Sequence, residues 1–180
     1  MKNLCIFCGS ASGRGEKYLE LGTRLGELLA KNQIGLVYGG ASIGLMGAIA
    51  DSVLNNGGYV TGVIPKALVE YEVAHNNLSK LHVVENMHQR KQLMYDLSHA
   101  FLTLPGGMGT LDEMFEVLTW TQLKYHEKKS YILNDDGFYD SLLAYLRHSH
   151  AEGFIKFEHL ELLHELRNLE NLEKIISQGI

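Results

Sequence analysis

The 180-residue chain is 46% apolar and 21% charged, a composition that sustains a buried core and excludes a disordered or low-complexity protein. Lys and Arg total 16 against 21 Asp and Glu, a formal charge of −5, which speaks against nucleic acid as the main partner. No apolar run approaches the roughly eighteen residues of a membrane span, and a strand-like run begins at Leu4, so neither a span nor a signal peptide is expected.

Short apolar runs at residues 4–7, 35–38, 59–64, 82–84, 100–104 and 130–133 read as strands. Several lack the alternation of a half-exposed sheet, as parallel strands buried on both faces do. Between them, residues 18–29 place Leu21, Leu25, Leu28 and Leu29 on one helical face, and 43–54, 87–97 and 111–123 are also helix-like. The alternation predicts one α/β domain over residues 1–180: a Rossmann-like, doubly wound, mostly parallel sheet with helices on both faces. Farther on, 138–146 should be a helix. A last strand is expected at 160–164, although leucine and glutamate favour helix there, and a short helix restarts at 168–171 with Asn168 or Asn171 as its cap.

Cys5 and Cys8, the only cysteines, fall in the first strand, where residues three apart point to opposite faces. With no second pair to complete a thiolate site, they read as reduced packing residues of a cytoplasmic protein, with Cys8 near the rim of the site.

Three glycine-rich turns follow three of the strands. The first carries Gly9 and Ser10; the second carries Gly39, Gly40, Ser42 and Gly44; the third is Pro105-Gly106-Gly107-Met108-Gly109-Thr110-Leu111-Asp112-Glu113. In an open parallel sheet all three converge beyond the carboxyl ends of the strands. None has the dinucleotide or triphosphate fingerprint, which leaves a small phosphate-bearing ligand, most simply a nucleoside monophosphate. In the second turn, the alternative is that Gly44 and Gly47 only let a helix pack closely, with Ser42 as its cap. In the third, Thr110-x-x-Glu113 matches a capping box, in which Glu113 would merely return a hydrogen bond. That reading leaves the preceding glycines and Glu116 unused. Glu116 shares the helical face of Glu113, so two carboxylates could reach one ligand.

Met87-His88-Gln89-Arg90-Lys91 opens the helix before the fifth strand. Arg90 and Lys91 could claim a phosphate, or Arg90 could neutralise Glu113 or Glu116; an exposed basic pair is the plain alternative. His88 could act as an acid or base, but reads rather as an interfacial or solvent-facing residue. The histidines show no His-Glu-x-x-His spacing, so no metal is expected.

These motifs together resemble the LOG ("lonely guy") family. The resemblance continues through Glu116-Val117-Leu118-Thr119-Trp120 and Asn134-Asp135-Asp136-Gly137-Phe138-Tyr139, and includes Cys8-Gly9-Ser10 and residues 38–47. Members are cytokinin riboside 5'-monophosphate phosphoribohydrolases, once widely mislabelled as lysine decarboxylases. The resemblance implies hydrolysis of the N-glycosidic bond of AMP or an N6-substituted relative, without a cofactor, by a homodimer with sites near the interface. It implies Arg90 and Glu113 as the catalytic pair, with Glu116 as the second motif acid. Glu72, Lys91, Gly107, Met108, Gly109, Thr110, Leu111, Asp112 and Thr119 would surround the nucleotide. The family usually has tyrosine or glycine at Met108 and often glutamate at Asp112. The rival reading is a non-catalytic carrier or sensor of a phosphorylated ligand such as molybdenum cofactor. A carrier keeps the glycine cradle but gives no reason to place Glu113 and Glu116 together.

Overall fold

The computed structural model describes residues 1–69 and 73–180. Seven strands form one sheet: β1 (Asn3–Phe7), β2 (Gly35–Tyr38), β3 (Val60–Pro65), β4 (Lys80–Val84), β5 (Ala100–Thr103), β6 (Lys129–Leu133) and β7 (Leu163–Leu166). Their order is β4-β3-β2-β1-β5-β6-β7, and every pairing is parallel. Helices α1 (Lys17–Lys31), α2 (Gly44–Asn55) and α7 (Leu169–Gln178) cover one face. Helices α3 (Met87–Asp96), α4 (Met108–Gln122) and α5 (Asp140–Ala151) cover the other, with α6 (Phe157–Leu160) a single turn before β7. No described helix is long and apolar enough to cross a membrane.

Coverage of both faces explains the continuous apolar runs. Leu4, Ile6 and Cys8 pack under α1 and α2, while Cys5 and Phe7 pack under α3 to α5. The cysteines are therefore buried, free and on opposite faces. On α1, Leu21, Leu25 and Leu29 recur every four residues and meet Leu45, Ile49 and Val53 of α2 in the same core. Truncating a buried leucine such as Leu25 costs about 2–5 kcal/mol.

Three expectations need correction. The last strand is β7 at Leu163–Leu166, not 160–164; Leu160 ends α6, and pairing with β6 sets Ser130 opposite Leu163 and Leu133 opposite Leu166. Helix α4 starts at Met108, three residues before the expected 111, because the Gly107 carbonyl already accepts from the Leu111 N–H at 3.1 Å. Thr110 thus lies within the first turn instead of at the cap, and the capping-box reading of Glu113 fails. Ser42 is not a cap either. Ile43 holds that position on α2, while Ser42 Oγ donates to the Val73 carbonyl at 2.7 Å.

Candidate active site

β1 and β5 lie side by side, yet β1 leads to a helix on one face and β5 to a helix on the other. The connections part there and leave a crevice at the carboxyl edge, the usual ligand position in such sheets. It is a cleft of about 390 Å³, within the range of small-molecule sites. Cys8, Gly9, Ser10 and Ala11 form one wall; Gly107, Met108, Gly109, Thr110, Asp112 and Glu113 form another; Met46, Leu68, Met87 and Arg90 complete it.

Gly107 occupies the N-cap of α4 and gives no side-chain cap. The first-turn N–H groups lack partners within the helix, and the helix dipole adds partial positive charge. A Cβ built on Gly107 or Gly109 would meet no atom within 4 Å, so the turn presents bare backbone to the cleft. The Met108 side chain is 89% exposed and Thr110 is buried. This end of α4 has the geometry of an oxyanion site.

Arg90 is only 3% exposed. Its Nε donates to the Val63 carbonyl at 3.1 Å and its Nη2 to the Gly39 carbonyl at 3.0 Å. A carbonyl within β3 and another in the turn just after β2 thus fix a guanidinium at the cleft. A Cβ at residue 39 would stand 2.1 Å from Nη2, so glycine there is the condition for Arg90 to enter. Glu113, 7% exposed, lies one turn into α4 and lines the same cleft. The Cys8 thiol is pushed far up by burial, then by Glu113, against a smaller downward pull from Arg90. It is therefore protonated and unsuited to nucleophilic attack.

Lys91 does not line the cleft. Its ammonium pairs with Glu116 at 2.9 Å and with Asp112 at 3.2 Å. Burial alone would depress its pKa, but the two carboxylates hold it above the ordinary lysine value. Glu116 is thereby turned to Lys91 and is not brought beside Glu113 in the cleft. Thr119 is exposed and donates to the Phe115 carbonyl, away from the cleft; Leu111 also lies outside its lining. Glu72 lies outside the described residues.

The first glycine turn contributes Gly9 and Ser10 directly. The second acts indirectly: Gly39 seats Arg90, and Gly44, at φ +61°, brings α2 against the first turn. A Cβ there would lie 2.0 Å from the Ser10 carbonyl oxygen. Gly40 and Ser42 bond instead to the segment containing Val73 and His75. Leu68 and Met87 add apolar lining; Met87 opens the motif that carries Arg90 without having been given a role, and Leu68 belongs to no motif. Among the described residues, no group of three or more His, Cys, Asp or Glu side chains is placed to hold a metal ion.

The family model described as "Possible lysine decarboxylase" matches residues 46–176. A cytokinin riboside 5'-monophosphate phosphoribohydrolase from Rhodococcoides fascians is 50% identical over 155 residues, covering 86% of this chain and 78% of that one. A protein of the same name from Arabidopsis thaliana is 47% identical over 86% of this chain and 72% of its own. Among solved structures, the molybdenum cofactor binding protein of Rippkaea orientalis matches with a TM-score of 0.72 at 20% identity, over 99% of this chain and 97% of that one. The molybdenum cofactor carrier protein of Chlamydomonas reinhardtii gives 0.72 at 17%, over 98% and 96%; at these identities the likeness is one of fold. With 47% and 50% of the aligned residues identical over 86% of its length, the chain belongs to the LOG family, the cytokinin riboside 5'-monophosphate phosphoribohydrolases.

Proposed function

We propose that this protein hydrolyses the N-glycosidic bond of a purine nucleoside 5'-monophosphate, AMP or an N6-substituted relative, to the free base and ribose 5-phosphate. The observation that carries the reading is a buried carboxylate, Glu113, one turn inside a helix whose uncapped N-terminus opens into the same cleft. The 5'-phosphate sits at the first-turn donors of α4 and fixes the ribose beside Glu113. As the bond from C1' to the base breaks, positive charge grows on the ribose. The Glu113 carboxylate stabilises it and takes a proton from the attacking water, while the base leaves with the bond electrons and gains a proton. Arg90 supplies a fixed positive charge at the same cleft. Lys91 neutralises Glu116 and Asp112, which would otherwise repel the phosphate.

Decarboxylation fits this site less well. A lysine that forms a Schiff base needs a lowered pKa, whereas Lys91, beside the cleft, is held high by its carboxylate partners. In this reading the protein acts as a homodimer; light scattering gives the mass that checks it.

The deciding experiment incubates purified protein with AMP and with an N6-substituted AMP, without added cofactor, and separates the products by chromatography. Free base together with ribose 5-phosphate is expected, with adenosine a far poorer substrate in kcat/KM because the phosphate contacts are lost. AMP that binds without turnover would favour a carrier.

A further inference from the structure

His75 is 5% exposed and stands outside the cleft lining, yet the hydrogen bonds around it lead to Arg90. Its Nε2 meets Asp51 Oδ1 of α2 at 3.0 Å, and its Nδ1 accepts from the Asn77 N–H at 3.2 Å. An accepting Nδ1 makes Nε2 the protonated nitrogen, so the ring donates to Asp51. The His75 backbone N–H donates to the Gly40 carbonyl at 2.9 Å. Ala74 bridges Ala41 antiparallel, and the Val73 carbonyl accepts from both the N–H and the hydroxyl of Ser42. Residues 73–75 are thus stitched to the turn whose first carbonyl, that of Gly39, accepts from Arg90 Nη2.

Val73 adds an independent observation. Its φ is +49°, a left-handed conformation that a β-branched residue adopts only under constraint. Such strain persists where surrounding bonds over-determine it, and it concentrates at functional sites. The stitching just described supplies those bonds.

We propose that His75, locked by Asp51, is a positioning residue for Arg90: it holds the Gly39–Gly40 turn at the height that aims the guanidinium into the cleft. The inference rests on the hydrolase reading for its kinetic consequence, but not for its structural one. A guanidinium displaced by about an ångström loses transition-state contacts while ground-state binding through α4 persists. The expected effect is a roughly ten- to hundredfold fall in kcat with KM for AMP nearly unchanged.

The test compares His75→Ala, His75→Gln and Asp51→Ala. Glutamine can still reach Asp51 with an N–H donor, so it should recover most of the activity that alanine loses. Asp51→Ala, at a side chain 61% exposed, should lower kcat in the same direction and decides the matter if His75→Ala does not fold. Unchanged kcat in folded His75→Ala or Asp51→Ala overturns the proposal, as does an equal loss in His75→Ala and His75→Gln. A second readout needs no turnover. The Arg90 Nε–H resonance, assigned by its loss in Arg90→Lys, should shift or broaden in His75→Ala. If the wild type releases no base from AMP, the hydrolase reading fails, and this resonance alone judges the inference: an unmoved signal sinks it.

Discussion

Helices α4 and α7 both begin where a strand of the same sheet ends, but their first turns are finished differently. At α7, Asn168 Oδ1 accepts from the Asn171 N–H at 3.0 Å, and Asn171 Oδ1 accepts from the Arg167 N–H at 3.1 Å. That end is closed by reciprocal side-chain bonds. At α4 the equivalent position is Gly107, without a side chain, and the donors of the first turn face the cleft. Glycine in place of a capping side chain costs a few tenths of a kcal/mol. An anion at a helix N-terminus is worth about 0.3–1 kcal/mol, and up to about 2 kcal/mol when partly buried. The small local loss is thus outweighed whenever a phosphate is bound; α1, α2 and α5 also begin without a side-chain cap, but the α4 end is the one whose N-cap residue, Gly107, lines the cleft.

The comparison breaks most visibly at Glu113. Since α4 starts at Met108, Glu113 closes no capping box, and its replacement should damage chemistry far more than folding. Glu113→Gln is expected to lower kcat by roughly 10²–10⁴-fold, with the thermal midpoint and AMP affinity largely kept. Turnover close to wild type would remove Glu113 from the proposed mechanism.

Gly107→Asp tests the open end directly by giving α4 the kind of cap that α7 has. The site has room, since a Cβ at Gly107 meets nothing within 4 Å. The added carboxylate should occupy the first-turn donors and repel the phosphate, weakening AMP binding by roughly tenfold. The thermal midpoint should hold or rise slightly. Calorimetric titration with AMP measures the first effect and a melting curve the second. Unchanged affinity would move the phosphate elsewhere in the cleft.

The same contrast explains which parts of the molecule could be read from the chain. Strands buried on both faces write themselves as apolar runs, so β1, β2 and β6 fell within a residue of expectation. β7 shifted because His164 and Glu165 interrupt the apolar signal, and its register follows from pairing with β6. The turn at 105–113 announced a ligand site through its glycines, and Gly107, Met108, Gly109, Thr110, Asp112 and Glu113 do meet Arg90 in one cleft. The partner of each charge was not legible. Lys91 follows Arg90 in the chain, but successive helical residues point about 100° apart, so Arg90 enters the cleft while Lys91 reaches Asp112 and Glu116. The link from His75 to the Gly40 turn crosses from one loop to another and leaves no periodic trace.

The closed end of α7 gives the control. Asn168→Ala removes the side chain that accepts from Asn171 and should destabilise the fold by about 1 kcal/mol. Turnover on AMP should stay at the wild-type level, because nothing at α7 lines the cleft. Denaturant melts and steady-state rates on one preparation check both halves. A fall in kcat would mean that α7 is coupled to the cleft, and the contrast between the two helix ends would lose its meaning.

The smallest effect is set by histidines away from both helix ends. Burial lowers the pKa of His126, against the raising effect of the hydrogen bond its ring donates to the Val117 carbonyl and with a further push down from Lys128. Burial lowers His82, with Lys80 adding to it, and lowers His164, where Lys129 adds and Glu161 opposes. In all three the folded value lies below the ordinary 6.5. As pH falls through that window, the unfolded chain binds protons before the folded one does, so stability drops. The contribution is fully present above about pH 6.5 and is lost progressively as pH falls through the folded values. The Asp136 carboxyl, held low by the hydrogen bond from Lys17, acts only below its ordinary 3.8, which keeps the two windows apart. The thermal midpoint should therefore decline between pH 7 and pH 5, and less steeply in His126→Gln. A midpoint that is flat or rises toward pH 5 would show that the folded chain accepts these protons as readily as the unfolded one.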